Sequence, residues 1–244
     1  MTSAPRTLCA VTDATWPAAA VAHTGPWTIR EGRGGGKRVS AATARGPVTP
    51  ADLPAAEALM RALGQAPLFM IRSGEAALDA MLAARGYARI DPVNAWAGPA
   101  APLAERPLPR GRVFCIWEPL AIQADMWAAG GIGPARLAVM RRAPGPKTSI
   151  LARWDQTPAA TAFVAIHDRI AMVHALEVAA RCRRKGVARL VMVRAARWAN
   201  ENGAGRIAAL CTRENAGANA LYSSLGLTVV GQYHYRMAEE DRPA

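Results

Sequence analysis

The sequence predicts an α/β protein built on a mixed, mainly antiparallel sheet flanked by helices. Three observations carry this. Apolar runs at 150–154, 161–167 and 170–178 follow one another, separated by Asp155-Gln156-Thr157-Pro158 and by a turn at His167-Asp168-Arg169, which is the chemistry of consecutive antiparallel strands. The third run feeds a basic, Gly-containing turn and then Val187–Asn202, where Val187, Leu190, Val191, Arg194 and Trp198 recur at helical spacing. Beyond Gly203 the alternation continues with an apolar strand, Arg206–Thr212, a short helix opened by Asn215, and a closing strand or hairpin at Thr228–Met237.

The first half has a fainter version of this plan. Trp27–Arg30 and Arg38–Thr43 read as strands flanking glycines 34–36, which would form a flexible hairpin tip. A phosphate-binding P-loop is excluded there, because Arg38 stands where Ser or Thr must follow Gly-Lys. Pro50–Leu63 reads as a helix with Leu53, Leu59, Met60 and Leu63 on its apolar face, Leu68–Arg72 as a strand, and Gly74–Leu82 as a helix before Gly86. Residues 98–112 carry four prolines, and we place the boundary there: a first half at 1–98, a linker at 99–112, and a second half at 113–244. The second half opens with a strand at Val113–Trp117 and helical material at Leu120–Met140, broken at Gly130-Gly131 and Gly133-Pro134.

Composition narrows the class. With 244 residues, 51% of them hydrophobic, the chain can bury a substantial core and is not disordered throughout. No run approaches the roughly twenty apolar residues of a membrane span, so no membrane partner is expected. Cysteines 9, 115, 182 and 211 have neither disulfide-framework nor zinc-knuckle spacing, and the histidines have no metal-like spacing, so no metal is expected and a reducing cytoplasm is the expected location. The formal charge of +12 is almost wholly arginine, with lysine only at 37, 147 and 185. That field steers a polyanion, but basic residues are scattered and aromatics are only 6%, so nucleic acid is the less favoured partner.

The most informative junction is the one after Ile170–Val178. A strand ending in a glycine-containing turn leaves backbone N–H groups unpaired, and the helix that follows adds its positive dipole end at the same place. Residues Arg183, Arg184, Lys185, Gly186, Val187 and Ala188 would therefore cradle a pyrophosphate. Downstream, Asn215 is a good N-cap and Gly226 a good C-terminal stop for a helix that carries Leu221-Tyr222.

Arg183-x-x-Gly186-x-Ala188 resembles motif A of the GNAT acetyltransferase superfamily, and the segment from Asn215 through Tyr222 to Gly226-Leu227 resembles its motif B, about 27 residues further on. The resemblance implies a GNAT-like sheet and acetyl-CoA as cofactor. It also implies a pantetheine arm paired to the backbone of the preceding strand at Leu176 and Val178, Asn215 and Tyr222 at the cofactor, and Tyr222 as the acid that protonates the leaving thiolate. The implied reaction is acetylation of a primary amine on a small molecule or peptide; because neither Cys182 nor Cys211 has a paired base that would make it an acyl nucleophile, direct attack in a ternary complex is favoured over ping-pong transfer. LDAMLAARGY before residue 88 is similar to NALYSSLGL before residue 228, so the first half reads as a degenerate second copy that lacks the phosphate turn.

By strand alternation Met172, His174, Leu176 and Val178 share one face, and Val173, Ala175 and Glu177 the other. His174 is the expected general base: an imidazole titrates near pH ~6.5, and the residue lies roughly 13 Å of strand rise before the turn. Val173-His174-Ala175-Leu176 is also similar to the arylalkylamine acetyltransferase branch, whose strand carries two histidines; here Met172 replaces the first. The alternative is a core histidine bonded to a neighbour. Glu177 is the reserve base, able to reach the amine if a bulge shifts the alternation. Two other readings stand beside the enzyme: a catalytically silent acyl-CoA-binding regulator and an RNA- or ribosome-associated acetyltransferase. A homodimer is left open.

Overall fold

The computed structural model describes residues 4–242 of the chain, and side-chain surroundings from Leu8 onward. The chain begins with helix α1 (Ala4–Thr15) and a small three-stranded antiparallel sheet, β1 (Ala20–Thr24), β2 (Trp27–Glu31) and β3 (Thr43–Ala44). Helix α2 (Leu53–Ala62), strand β4 (Leu68–Arg72), helix α3 (Ala76–Ala84), strand β5 (Tyr87–Pro99) and the short helix α4 (Ala101–Ala104) complete the first half. Then come β6 (Val113–Ile116), α5 (Ala121–Ala129), α6 (Pro134–Arg142), β7 (Lys147–Trp154), β8 (Thr157–His167) and β9 (Ile170–Val178). The chain closes with α7 (Val187–Glu201), β10 (Arg206–Thr212), α8 (Ala216–Ser224) and β11 (Thr228–Ala238).

One eight-stranded sheet, in the order β4-β11-β5-β10-β9-β8-β7-β6, runs through the molecule. All its neighbours are antiparallel except β9 and β10. Burial explains why the middle strands read as unbroken apolar runs: Ala159, Ala160, Phe163 and Val164 of β8, and Ile207, Ala208 and Ala209 of β10, lose all contact with water because helices lie on both faces. Helix α7 packs on one face through Val191, Ala195 and Ala199, while α1 packs on the other against Met172 and Ala208. Among the described residues no helix is long and apolar enough to cross a membrane.

Strand β5 went unseen in the sequence, although it lies between β11 and β10. It contains Pro92, a residue that argues against a central strand because it cannot donate to the ladder. The structure accommodates Pro92 beside Asp91, whose φ of +43° marks a register break against β11, and the Pro92 carbonyl still accepts from the Arg213 amide at 2.7 Å. The sheet therefore crosses the boundary placed at 98–112. Nor do residues 99–112 hang free: Arg197 of α7 donates to the carbonyls of Ala104 and Arg106, both at 2.8 Å, and ties this segment down.

A second correction concerns residues 32–43. The expected strand at Arg38–Thr43 is a single 3-10 turn, Lys37–Val39, followed by the two residues of β3. The expected flexible tip is likewise a docked loop. Gly35 is buried so closely between Val39 and Val139 that a Cβ there would stand 2.6 Å from a Val139 methyl, and Gly36 takes φ +95° against the Arg136 side chain. Glycine is needed for that approach to α6, and the approach sets the direction of Lys37 and Arg38.

Candidate active site

Parallel pairing between β9 and β10 stops early. Residues 170–173 of β9 pair with 206–209 of β10, after which the two strands part and the β5-β10 ladder continues to Thr212. The gap opens into a cleft of about 1140 Å³ bounded by Val173, Leu176 and Val178 on one side and by Leu210, Cys211 and Thr212 on the other. The edge of β9 beyond Val173 thus has no strand beside it, which leaves its amides and carbonyls available to an extended, amide-bearing ligand.

At one end of the cleft is the turn Arg183–Ala188. Arg184 at φ +63° and Gly186 at φ +81° curl the backbone around the start of α7. The first helical bond runs from the Leu190 amide to the Gly186 carbonyl, so the amides from Arg184 to Arg189 point to no protein acceptor among the described residues. A Cβ at Gly186 would meet nothing within 4 Å, so the concavity is open. Successive free N–H groups at a helix start form an anion nest. Arg183 itself folds back, donating from Nε to the Val178 carbonyl at 3.2 Å, and so fixes the turn to the end of β9.

Midway along the cleft β9 is bulged. Thr161 faces Glu177 while Phe163 faces His174, so Ala175 and Leu176 together oppose Ala162, and Ala175 adopts φ +51°. Trp127 of α5 holds the bulge by donating from its indole nitrogen to the Ala175 carbonyl at 2.8 Å. The extra residue overturns the expected alternation. His174 and Glu177 now lie on the face opposite α7, whereas Leu176 and Val178 pack toward the α7 core with Val173.

An acetyltransferase (GNAT) family model matches residues 120–227, which span the bulged strand, the turn and α8. Over this segment the chain is similar to the GNAT N-acetyltransferases. It is 26% identical over 238 residues to the uncharacterized N-acetyltransferase YobR of Bacillus subtilis (strain 168), covering 92% of this chain and 94% of the other. In fold it is similar to a GCN5-related N-acetyltransferase from Kribbella flavida, with a TM-score of 0.73 at 19% identity over 98% of this chain and 97% of that one. It is also similar to a tandem GNAT protein from the clavulanic acid biosynthesis pathway, with a TM-score of 0.61 at 17% identity over 84% and 76% of the two chains.

Within this GNAT cleft the expected base, His174, is out of place. It is 4% exposed, lies against the Trp16 ring at 4.9 Å between centroids, and does not line the cleft. Both ring nitrogens are engaged. Arg38 can only donate, and its Nη1 is 3.1 Å from Nδ1, so Nδ1 is an acceptor. Thr15 gives its own proton to the Val11 carbonyl at 2.7 Å, so its Oγ1 accepts from Nε2–H at 2.9 Å. Burial, reinforced by the Arg38 charge, holds the imidazole well below its ordinary titration range. A neutral, fully bonded ring does not collect a proton from an amine, so the expected basic role of His174 and the two-histidine relay both lose their footing.

Glu177 takes the better position. It lines the cleft, with its carboxyl close to the backbone of Gly130. Partial burial raises its pKa above the usual carboxylate value, against an opposing pull from Arg183. The bulge is what brought it to this face.

Tyr222 also lines the cleft, is buried, and packs against Trp96 at 6.3 Å between centroids. Burial, with Cys211 nearby, raises its phenol above the ordinary range, so the hydroxyl keeps its proton. Asn215 acts as the N-cap of α8, its Oδ1 accepting from the Ala218 amide at 2.9 Å. Asn219, which the sequence reading passed over, does more. Its Oδ1 accepts from Asn94 at 2.9 Å and from the Trp96 indole at 3.1 Å, while its Nδ2 donates to the carbonyls of Thr212 and Asn215. One amide thus clamps α8, and Tyr222 one turn later, to β5 and β10.

The far end of the GNAT cleft is built by residues outside the matched segment. Trp16, Lys37, Arg38, Asp91, Tyr233 and Tyr235 line it, with Lys37 ion-paired to Asp91. Tyr233 and Tyr235 form a T-shaped pair at 5.5 Å. In the sequence Arg38 stands only as the first residue of an expected strand, Arg38–Thr43, behind the tip at glycines 34–36. Its role at the cleft depends on where that loop docks.

Proposed function

We propose that this N-acetyltransferase transfers an acetyl group from acetyl-CoA to a primary amine of a small molecule or peptide by direct attack in a ternary complex. The observation that carries the reading is one continuous path: an open nest of amides at 184–189, an unpaired strand edge leading away from it, and a carboxyl and a phenol facing the cleft beyond. The chain's residues fit the cofactor on these grounds. The amides of 184–189 would hold its pyrophosphate, and the backbone at Leu176 and Val178 its pantetheine arm. When bound, acetyl-CoA supplies an activated acetyl thioester.

The protein's part is to orient the reactants and move protons. The Glu177 carboxylate accepts a proton from the acceptor ammonium, a task that suits a carboxylate whose pKa burial raises above the usual value. The Tyr222 hydroxyl, kept protonated by burial, delivers a proton to the departing sulfur. Cys211 beside it is held as a thiol by burial and has no base, which disfavours an acyl-cysteine route. Calorimetry with coenzyme A tests the cofactor assignment, and single-turnover kinetics with acetyl-CoA tests the route. An acetylated enzyme formed before acceptor is added would contradict direct transfer.

We read the first half as a copy of the second that has lost its cofactor site. Residue 42 pairs in parallel with Phe69 of β4, as β9 does with β10, and the halves exchange their final strands, β5 beside β10 and β11 beside β4. The turn ahead of α2 contains Pro47 and Pro50, with Pro54 inside the helix, and prolines have no N–H to offer an anion. That difference supports the loss of a phosphate nest in a related frame.

A further inference from the structure

We infer that the acceptor is an amine carrying an anionic group a few bonds away, such as a carboxylate, and that Arg38 is the residue that recognises this group. The inference rests on the acetyl-transfer reading above and names its substrate class.

Arg38 is a cation without a counter-ion among the described residues. Its Nη1 donates to the neutral Nδ1 of His174 at 3.1 Å, and its carbon sits 5.9 Å from the Trp16 ring centre. Its Nε is buried with no hydrogen-bond partner among the described residues. Of the two acids in the cleft lining, Asp91 and Glu177, the first is already paired with Lys37. Across the loop, Arg136 makes only a long contact with the Gly131 carbonyl, at 3.4 Å, and it also lines the cleft without a carboxylate partner. Burying a guanidinium without an anion is costly, and its fork of donors matches a carboxylate or phosphate.

The rest of the site explains why this cation is compatible with an amine substrate. A plain ammonium would be repelled by Arg38. Glu177 supplies the opposite charge on the same face of β9, because the bulge at Ala175 places His174 and Glu177 together there. A zwitterionic acceptor satisfies both, its ammonium directed to Glu177 and its anion to Arg38. His174 then has a use that fits its geometry. It accepts the Arg38 donor in the one tautomer that Thr15 permits, and so aims the guanidinium into the cleft as a positioning residue.

Matched pairs of amines test this: α- and ω-amino acids against their decarboxylated counterparts, and phosphoethanolamine against ethanolamine, with free-thiol release as the readout. The expected result is a kcat/KM at least about 10-fold higher for the anionic member of a pair, in line with a charge-assisted bidentate contact. The arm that gains more, carboxylate or phosphate, identifies the anion. In Arg38→Gln the ratio should fall toward one, and in Arg38→Lys it should be partly kept, with melting curves confirming that both variants fold. Equal or inverted rates within every pair, no turnover of any acidic amine, or a ratio unchanged in Arg38→Gln would each overturn the inference. Coenzyme A calorimetry on the same samples separates the failures: heat of binding without discrimination removes only the substrate class, and no heat removes the acetyl-transfer reading with it.

Discussion

Arg38 and His174 stand 136 positions apart in the chain and meet through a 3.1 Å hydrogen bond from guanidinium to imidazole Nδ1. The bond fixes the histidine as neutral, because a second proton on Nδ1 would face a donor that cannot reverse. The first prediction concerns stability. Since the folded titration point lies well below the unfolded one near ~6.5, the unfolded chain binds the extra proton first, and stability is lost as pH falls below that value. One such group contributes a slope of up to about 1.4 kcal/mol per pH unit. His174→Gln can accept from Arg38 and donate to Thr15 without titrating, so its melting temperature should depend less on pH between 7 and 5. Parallel curves for the two proteins would show that His174 takes up its proton as readily in the folded chain as in the unfolded one.

The pKa of Glu177 is shifted the opposite way to that of His174, yet its effect, here on rate, has the same direction with pH. Activity requires its carboxylate, and its pKa is raised by burial, so kcat/KM should drop as pH falls through a point above the usual carboxylate value. Glu177→Gln should lower kcat by about 10²-fold or more and erase that acid limb, while leaving coenzyme A affinity in place. An acid limb retained in the variant would assign it to another group.

Tyr222→Phe removes one hydroxyl from a buried ring that packs through its body against Trp96. The fold should lose little, because among the described residues the hydroxyl has no protein partner whose loss would leave a gap. The rate should fall by about 10-fold to 10³-fold, with the larger loss for poorer leaving thiols. Full turnover in the phenylalanine variant would remove the phenol from proton transfer.

How much of this was legible depends on the range over which each feature is encoded. Strands β9 and β10, helix α7 and the turn between them are local, each written in a run of apolar residues and a few turn residues, and the sequence places them nearly residue for residue. Strand β5 is hidden by Pro92, which is tolerated only because a break in register lies beside it. The bulge at Ala175 is invisible for a related reason: no glycine marks it, and what holds it is an indole 48 positions earlier in the chain. From that one unseen residue follows the face that Glu177 shares with His174. Arg38 and Trp16 reach the cleft only through tertiary docking of α1 and the glycine loop, which periodicity cannot report.

The turn that would hold the cofactor can be tested separately from the chemistry. Gly186 has φ +81°, a conformation that costs an L-residue about 1–2 kcal/mol, yet a Cβ there has open space around it. Gly186→Ala should therefore lower stability by about that amount without a steric clash in the core. Two responses remain to the backbone: it keeps its curl under strain, or it relaxes and turns the free amides of 184–189 away from a common centre. Relaxation would weaken coenzyme A binding by about 10-fold or more while leaving phosphate-free fragments such as pantetheine unaffected, since these would touch only the strand edge. Equal weakening for both ligands would place the damage in β9 rather than in the anion nest, and unchanged affinity for both, with the expected loss of stability, would mean that the turn keeps its curl under strain.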